Sequence, residues 1–181
     1  MKIGYSVVIL KAYRKISYFT FFFAFLVLGM SACKSEYTRY VEREMAKGIR
    51  NDSLIFDMFI GQPSSVFFDK CTELNKKQLI VEGGGNNAKY VEPFDSTGDN
   101  AKRKEMLFYG LFSEEGIMYG MRMTFSYLNW TLWNEETHSA PLVEDLKNKF
   151  LRDYGGNEFI AVNIKGDEFV SHVKIDGNRR I

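Results

Sequence analysis

Residues 106–112 and 117–127 constrain the fold more than any other part of the chain, because the second segment alternates between two kinds of side chain. One set of alternate positions is apolar or aromatic: Ile117, Tyr119, Met121, Met123, Phe125 and Tyr127. The other set is mostly small or polar: Met118, Gly120, Arg122, Thr124 and Ser126. A period of two is typical of a β-strand with one buried face, whereas a helix repeats every 3.6 residues. Because Ser113-Glu114-Glu115-Gly116 has the composition of a turn, we predict a long antiparallel hairpin.

Helical and strand patterns occur on both sides of this hairpin. In residues 64–77 the side chains of Phe67, Cys71 and Leu74 share one helical face. Apolar residues at helical spacing also predict helices over residues 38–49 and 142–154. We expect further strands or extended segments at residues 54–60, 79–82, 89–94, 159–164 and 169–175. The sequence therefore predicts an α+β fold, an antiparallel β-sheet with two or three helices packed on one face.

The first 32 residues have the composition of an export signal. They contain four basic residues and no acidic one, and residues 16–32 are uncharged and rich in Phe and Leu. A basic segment, an apolar segment and small residues before a cleavage point are typical of secretory signals. The apolar run is short for a membrane span, which needs about 20 residues. We therefore expect residues 1–32 to be cleaved as a signal peptide.

A short motif closes this segment, Gly29-Met30-Ser31-Ala32-Cys33. It resembles the lipobox of bacterial lipoproteins, in which small residues precede the cysteine that receives the lipid, although Met30 stands where Leu is usual. The resemblance implies that Cys33 is lipidated and anchors the chain in the bacterial cell envelope, at the outer membrane. The alternative is an uncleaved N-terminal anchor with Cys33 as an ordinary residue. Both interpretations place the C-terminal domain at a membrane surface outside the cytoplasm.

This division predicts three parts of the chain. Residues 1–32 are the lipoprotein signal peptide, residues 33–52 contain the lipidated cysteine, a tether and an N-terminal helix, and residues 53–181 form a single α+β domain. Of the 24 basic residues, 20 remain after the signal against 23 acidic ones, so the mature chain has a net charge of −3. A basic block typical of nucleic-acid binding is absent. We therefore expect no nucleic-acid partner.

Catalytic and metal-binding motifs are missing from the sequence. It contains no G-x-S-x-G or S-x-x-K motif, and Gly83-Gly84-Gly85 lacks the Gly-Lys-Ser/Thr that would make it a phosphate loop. Glu135, Glu136 and His138 lie close together, but with His172 far along the chain they fall short of the ligand set of a zinc site. We therefore predict a non-enzymatic protein without a cofactor or bound metal.

An aromatic segment is the strongest candidate for a binding surface. Tyr127, Trp130 and Trp133 lie within seven residues, beside the amides of Asn129 and Asn134. Such rings can anchor a protein partner or stack on a sugar, or they can fold inward as a lid on the sheet. The end of the chain adds a second group of candidate contact residues, Arg179 and Arg180. We predict that another envelope protein is contacted by five of these residues: Tyr127, Trp130, Trp133, Arg179 and Arg180. The alternative is that they bind a glycan.

The segment Ile60-Gly61-Gln62-Pro63-Ser64-Ser65-Val66-Phe67-Phe68 supports the same class of function. It resembles the helix entry of small outer-membrane lipoproteins of the SmpA/OmlA type, whose fold is shared with β-lactamase-inhibitor proteins. The likeness covers residues 60–94 and consists mainly of a turn and a helix start. Because members of this family bind other proteins, the resemblance implies a binding module. Taken whole, the chain resembles bacterial lipoproteins to which no activity is assigned, and no catalytic role carries over.

Overall fold

The computed structural model describes residues 35–96, 100–163 and 168–181. The predicted signal peptide and Cys33, the predicted lipidation site, lie outside the described residues. The chain divides into two units, Met1–Ala46 and Lys47–Ile181. The described part of the first unit contains one helix, α1 (Glu36–Ala46). In the part of the chain that the structure describes, no helix has the length and hydropathy of a membrane span.

The second unit is built around a four-stranded antiparallel sheet. Its strands follow one another in chain order: β1 (Ile80–Glu82), β2 (Ala88–Val91), β3 (Lys104–Phe112) and β4 (Met118–Tyr127). The predicted hairpin of residues 106–127 is thus confirmed, with Met106 opposite Phe125 and Phe108 opposite Met123. Residues 83–87 and 113–117 form the short β1–β2 and β3–β4 turns, and the longer segment 92–103 connects β2 to β3. None of these antiparallel neighbours needs a crossover connection.

Two helices cover one face of this sheet, α2 (Ser64–Lys76) and α3 (Ser139–Tyr154). Helix α2 buries Phe67 and Leu74 in a core that contains Phe108 of the sheet. Helix α3 places the ring of Phe150 at 6.0 Å from the ring of Phe125, edge to face. Phe108 lies opposite Met123 on β4, and Met123 and Phe125 are two positions apart. Phe108 and Phe125 are therefore on the same face of the sheet, because strand side chains alternate between faces. The predicted α+β fold with helices on one face of an antiparallel sheet is confirmed.

The alternation of strand β4 is interrupted by a β-bulge. Leu111 lies opposite Gly120 and Phe112 opposite Met118, so Tyr119 has no partner on β3. The extra residue shifts the side-chain phase by one position, which buries Met118 and exposes Tyr119. The prediction that Tyr119 shares the buried face was therefore wrong. The alternation of residue types does not show where a β-bulge adds a residue to one strand.

The segment between α1 and α2 is a compact loop, and the prediction of a strand or extended segment over residues 54–60 was wrong. Ile55–Asp57 form one 3-10 turn, and Phe56 and Asp57 have positive φ angles. Within residues 53–60 the strand-like feature that the structure describes is a single bridge between Ser53 and Phe59. The loop nevertheless buries Met58 in the core, so its apolar composition reflects burial and not strand pairing.

Two small sheets complete the unit. The predicted last hairpin is confirmed as β5 (Ile160–Asn163) and β6 (Val170–Val173). A second hairpin follows, β7 (Ile175–Asp176) and β8 (Arg179–Arg180). In its turn a Cβ on Gly177 would lie 2.1 Å from the carbonyl oxygen of Ile49, so only glycine fits there. The end of the chain is therefore an ordered part of the fold.

Candidate functional site

The aromatic segment leaves the sheet at the end of strand β4. We call residues 128–133 the aromatic loop. Its first residue, Leu128, donates its backbone N–H to the carbonyl of Arg103, and Asn129 donates its side-chain amide to the carbonyl of Asn100 at 3.4 Å. Both partners precede strand β3. Hydrogen bonds therefore hold the beginning of the aromatic loop to the segment that connects β2 and β3.

A 3-10 turn (Glu135–Thr137) joins the aromatic loop to helix α3. The backbone N–H of Asn134 donates to Thr131, and the Asn134 side chain accepts a hydrogen bond from the N–H of Glu136 at 3.2 Å. Thr137 is buried and donates its hydroxyl to the carbonyl of Asn134 at 2.8 Å. These contacts hold both ends of the loop, so its side chains project from an ordered backbone.

Both tryptophans project outward. Trp133 is 87 % exposed and Trp130 is 57 % exposed, and Leu132 between them is 62 % exposed. The alternative in which the two rings fold inward as a lid is therefore wrong for both. The ring of Trp130 lies obliquely beside that of His138, with 6.2 Å between centroids. Large apolar side chains that are grouped and exposed in this way mark interaction surfaces more often than isolated ones do.

Tyr127 does not belong to this exposed surface. Its side chain is only 4 % exposed, and its hydroxyl donates to a carboxylate oxygen of Asp145 on helix α3 at 2.8 Å. Lys104 lies 5.2 Å from the ring centroid and 3.2 Å from the Asp145 carboxylate. Burial, the hydrogen bond to Asp145 and the nearby negative charges of Asp145 and Glu92 raise the pKa of Tyr127. Tyr127 thus ties α3 to the sheet, and its prediction as a contact residue is corrected.

The prediction of Arg179 as a contact residue is corrected in the same way. It is only 5 % exposed, whereas its neighbour Arg180 is exposed. The Arg179 guanidinium lies 4.4 Å from the ring centroid of Tyr154, at the end of α3, and 3.6 Å from Asp176. We predicted a pair of arginines available to a partner at the chain end. The β7–β8 hairpin instead turns one of them inward, since successive residues of a strand point to opposite faces.

An open cavity of about 470 Å³ lies beside the aromatic loop. It is lined by Glu135, Glu136 and His138 together with the first turn of helix α3. Lys102 lies 3.5 Å from the Glu136 carboxylate, and His138 Nε2 lies 3.3 Å from the Thr131 carbonyl. Among the described residues, Glu135 has no ion-pair partner. The sequence pointed to these residues only as potential metal ligands and did not predict a cavity lined by them.

The sequence offers four potential metal ligands, Glu135, Glu136, His138 and His172. His172 lies in strand β6 opposite Ala161, whereas His138 immediately precedes helix α3. Within residues 35–96, 100–163 and 168–181, no group of three or more His, Cys, Asp and Glu side chains is arranged to hold a metal ion. The aromatic loop and its cavity present rings, aliphatic side chains and carboxylates at the surface.

A second cavity, of about 620 Å³, lies between helix α2 and the β1–β2 hairpin. Its walls include Phe67, Cys71 and Tyr109, and its floor includes Ala88. Burial raises the pKa of the Cys71 thiol, so this side chain behaves as an apolar group and not as an activated nucleophile. Cys71 packs against the core as its helical face predicted.

Comparison of the whole chain with protein-family models, with curated proteins and with solved structures finds no match.

Proposed function

We propose that this protein is a lipid-anchored module of the bacterial cell envelope that binds another envelope protein through its aromatic loop. The observation that carries the proposal is the exposure of Trp130, Leu132 and Trp133 on a backbone held at both ends. Tryptophan is enriched among the residues that dominate protein–protein binding energy. An ordered loop also loses little conformational entropy when it is bound.

The surroundings of the two rings favour a protein partner over a glycan. Sugar recognition would use the amides of Asn129 and Asn134 beside the rings. One group of each amide is already used within the loop region, since Asn129 donates to the Asn100 carbonyl and Asn134 accepts from the Glu136 N–H. The exposed neighbours of the rings include two large aliphatic side chains, Leu128 and Leu132, among exposed polar residues. An apolar centre with a polar rim is typical of a protein interface.

We expect the double substitution Trp130→Ala/Trp133→Ala to weaken partner binding by about 100-fold or more, because each anchoring tryptophan contributes on the order of 2 kcal/mol. The measurement is a quantitative crosslinking pull-down from cell envelopes, accompanied by thermal unfolding of the purified variant. Unchanged unfolding with loss of the crosslinked partner supports the proposal.

The matched control is Tyr119→Ala, which removes an exposed ring at the opposite end of strand β4. It is expected to retain the partner. Equal losses of partner binding in the control and in the double variant would assign the effect to nonspecific contact by exposed rings. Full retention of the partner by the double variant would contradict the proposed site.

The anchor is tested separately at Cys33. We expect Cys33→Ala to abolish metabolic labelling with a fatty acid and to leave an unprocessed or mislocalised precursor, because the acyl chains attach through this thiol. The measurement is labelling in a bacterial host followed by mass spectrometry of the purified chain. Cys71→Ala is the control, and it should label like the unchanged protein. Labelling that survives the loss of Cys33 would contradict the anchor.

A further inference from the structure

The cavity beside the aromatic loop is lined by two carboxylates and by a histidine that packs beside a tryptophan ring. Glu135 and Glu136 line it, and among the described residues only Lys102 neutralises one of these carboxylates. His138, also in the lining, packs beside the exposed ring of Trp130, with 6.2 Å between the ring centroids. Trp133 precedes Glu135 by two residues along the chain. The carboxylate of Glu135, which has no ion-pair partner among the described residues, thus lines a cavity beside the His138–Trp130 ring pair.

We propose that the partner presents a lysine or arginine side chain that enters this cavity, with its charge at Glu135 and its stem against the ring of Trp130. This inference rests on the proposed function, since it specifies the chemistry of the partner at the aromatic loop. A cation over the face of tryptophan is attracted by the ring quadrupole and contributes on the order of 1 kcal/mol at an exposed site. A guanidinium also stacks on aromatic faces while its donors reach a carboxylate.

The charge of the cavity also decides against a lipid surface as the occupant. The exposed Trp130, Leu132 and Trp133 would suit the interfacial region of a membrane. Membrane-surface segments normally pair such residues with Lys and Arg, because anionic headgroups attract cations. Here the residues that follow the rings are Glu135 and Glu136, which anionic lipids repel. Charge complementarity therefore favours a basic protein segment.

The experiment uses tryptophan fluorescence of the full-length protein with two synthetic peptide probes. One contains a central arginine between glycine and serine residues; the other replaces it with citrulline, which has nearly the same shape and no charge. We expect the arginine peptide to quench the fluorescence and to bind at least about tenfold more tightly than the citrulline peptide. Raising the salt concentration should narrow this difference, because exposed charges are screened. Equal affinities for the two peptides would overturn the proposal.

Glu135→Gln/Glu136→Gln removes the negative charge and preserves side-chain size. We expect this variant to lose the preference for arginine, whereas the matched control Glu114→Gln/Glu115→Gln, in the β3–β4 turn, retains it. Stronger binding to phosphatidylglycerol vesicles than to the arginine peptide would contradict a basic protein segment. In the envelope pull-down, a partner that survives Glu135→Gln/Glu136→Gln but not Trp130→Ala/Trp133→Ala would overturn the cationic contact and leave the proposed function standing. Survival in both variants would overturn both.

Discussion

Asp176→Ala is expected to destabilise the domain by about 3–5 kcal/mol, the cost of removing one partner from a buried ion pair. The Asp176 carboxylate lies 2.5 Å from the buried ammonium of Lys174 and 3.6 Å from Arg179. Lys174 is fully buried, and its ammonium also donates to the Asn157 carbonyl at 2.7 Å. The substitution leaves two cations in the interior without a counter-charge. Urea unfolding of the purified variant measures the loss.

The control for this substitution is Asp153→Ala. Asp153 also forms a close ion pair, 2.7 Å from the Lys149 ammonium, but both members of this pair are substantially exposed. An exposed pair at this helical spacing contributes about 0.3–0.5 kcal/mol. The expected difference between two aspartate-to-alanine changes is therefore several kcal/mol. Similar losses for both would show that the Lys174–Asp176–Arg179 cluster is not desolvated in solution.

The same carboxylate makes stability depend on pH. Burial acts to raise the pKa of Asp176, but hydrogen bonds from Lys174 and the Asn157 backbone, with the charges of Lys174 and Arg179, outweigh it and hold the pKa below its ordinary value. A depressed folded-state pKa contributes stability above the unfolded pKa of about 3.9, and this contribution is lost as the pH falls through the folded value. The parent domain should therefore lose stability below about pH 4 more steeply than Asp176→Ala does.

Phe108→Ala is the second substitution with a large expected effect, about 3–5 kcal/mol. Phe108 is fully buried in strand β3, and rings from two other elements surround it: Phe56 at 5.5 Å and Phe67 at 6.4 Å between centroids. Truncation removes the apolar contact and leaves a cavity that neighbours from separate elements fill poorly. Urea unfolding again measures the change in free energy.

Phe94→Ala is the matched control for Phe108. The Phe94 ring is 71 % exposed, and its described contact is with the guanidinium of Arg103, 5.9 Å from the ring centroid. A surface change of this kind is expected to stay within about 0.5 kcal/mol. A loss above 2 kcal/mol in this variant, or below 1 kcal/mol in Phe108→Ala, would contradict the assignment of the core.

The elements that sequence reasoning predicted well are those specified by local periodicity. Alternation over residues 117–127 and the turn residues before it are sufficient to specify a hairpin, because strand side chains alternate between faces. The shared face of Phe67 and Leu74 likewise predicted the side of α2 that enters the core. The errors in the fold occur where one residue changes the geometry. Tyr119 is inserted as a bulge, and Phe56 and Asp57 turn the chain with positive φ angles.

The candidate site shows the same division. The sequence by itself determined that two tryptophans, two carboxylates and a histidine lie within nine residues after a strand. Only the tertiary structure decided that Trp133 is exposed, that Tyr127 is sequestered by Asp145 and that Arg179 is turned inward. Exposure depends on neighbours distant along the chain, Asp145 on α3 for Tyr127 and Tyr154 for Arg179. Residue type states what a side chain can contact, and packing between separate elements determines whether any room for a partner is left.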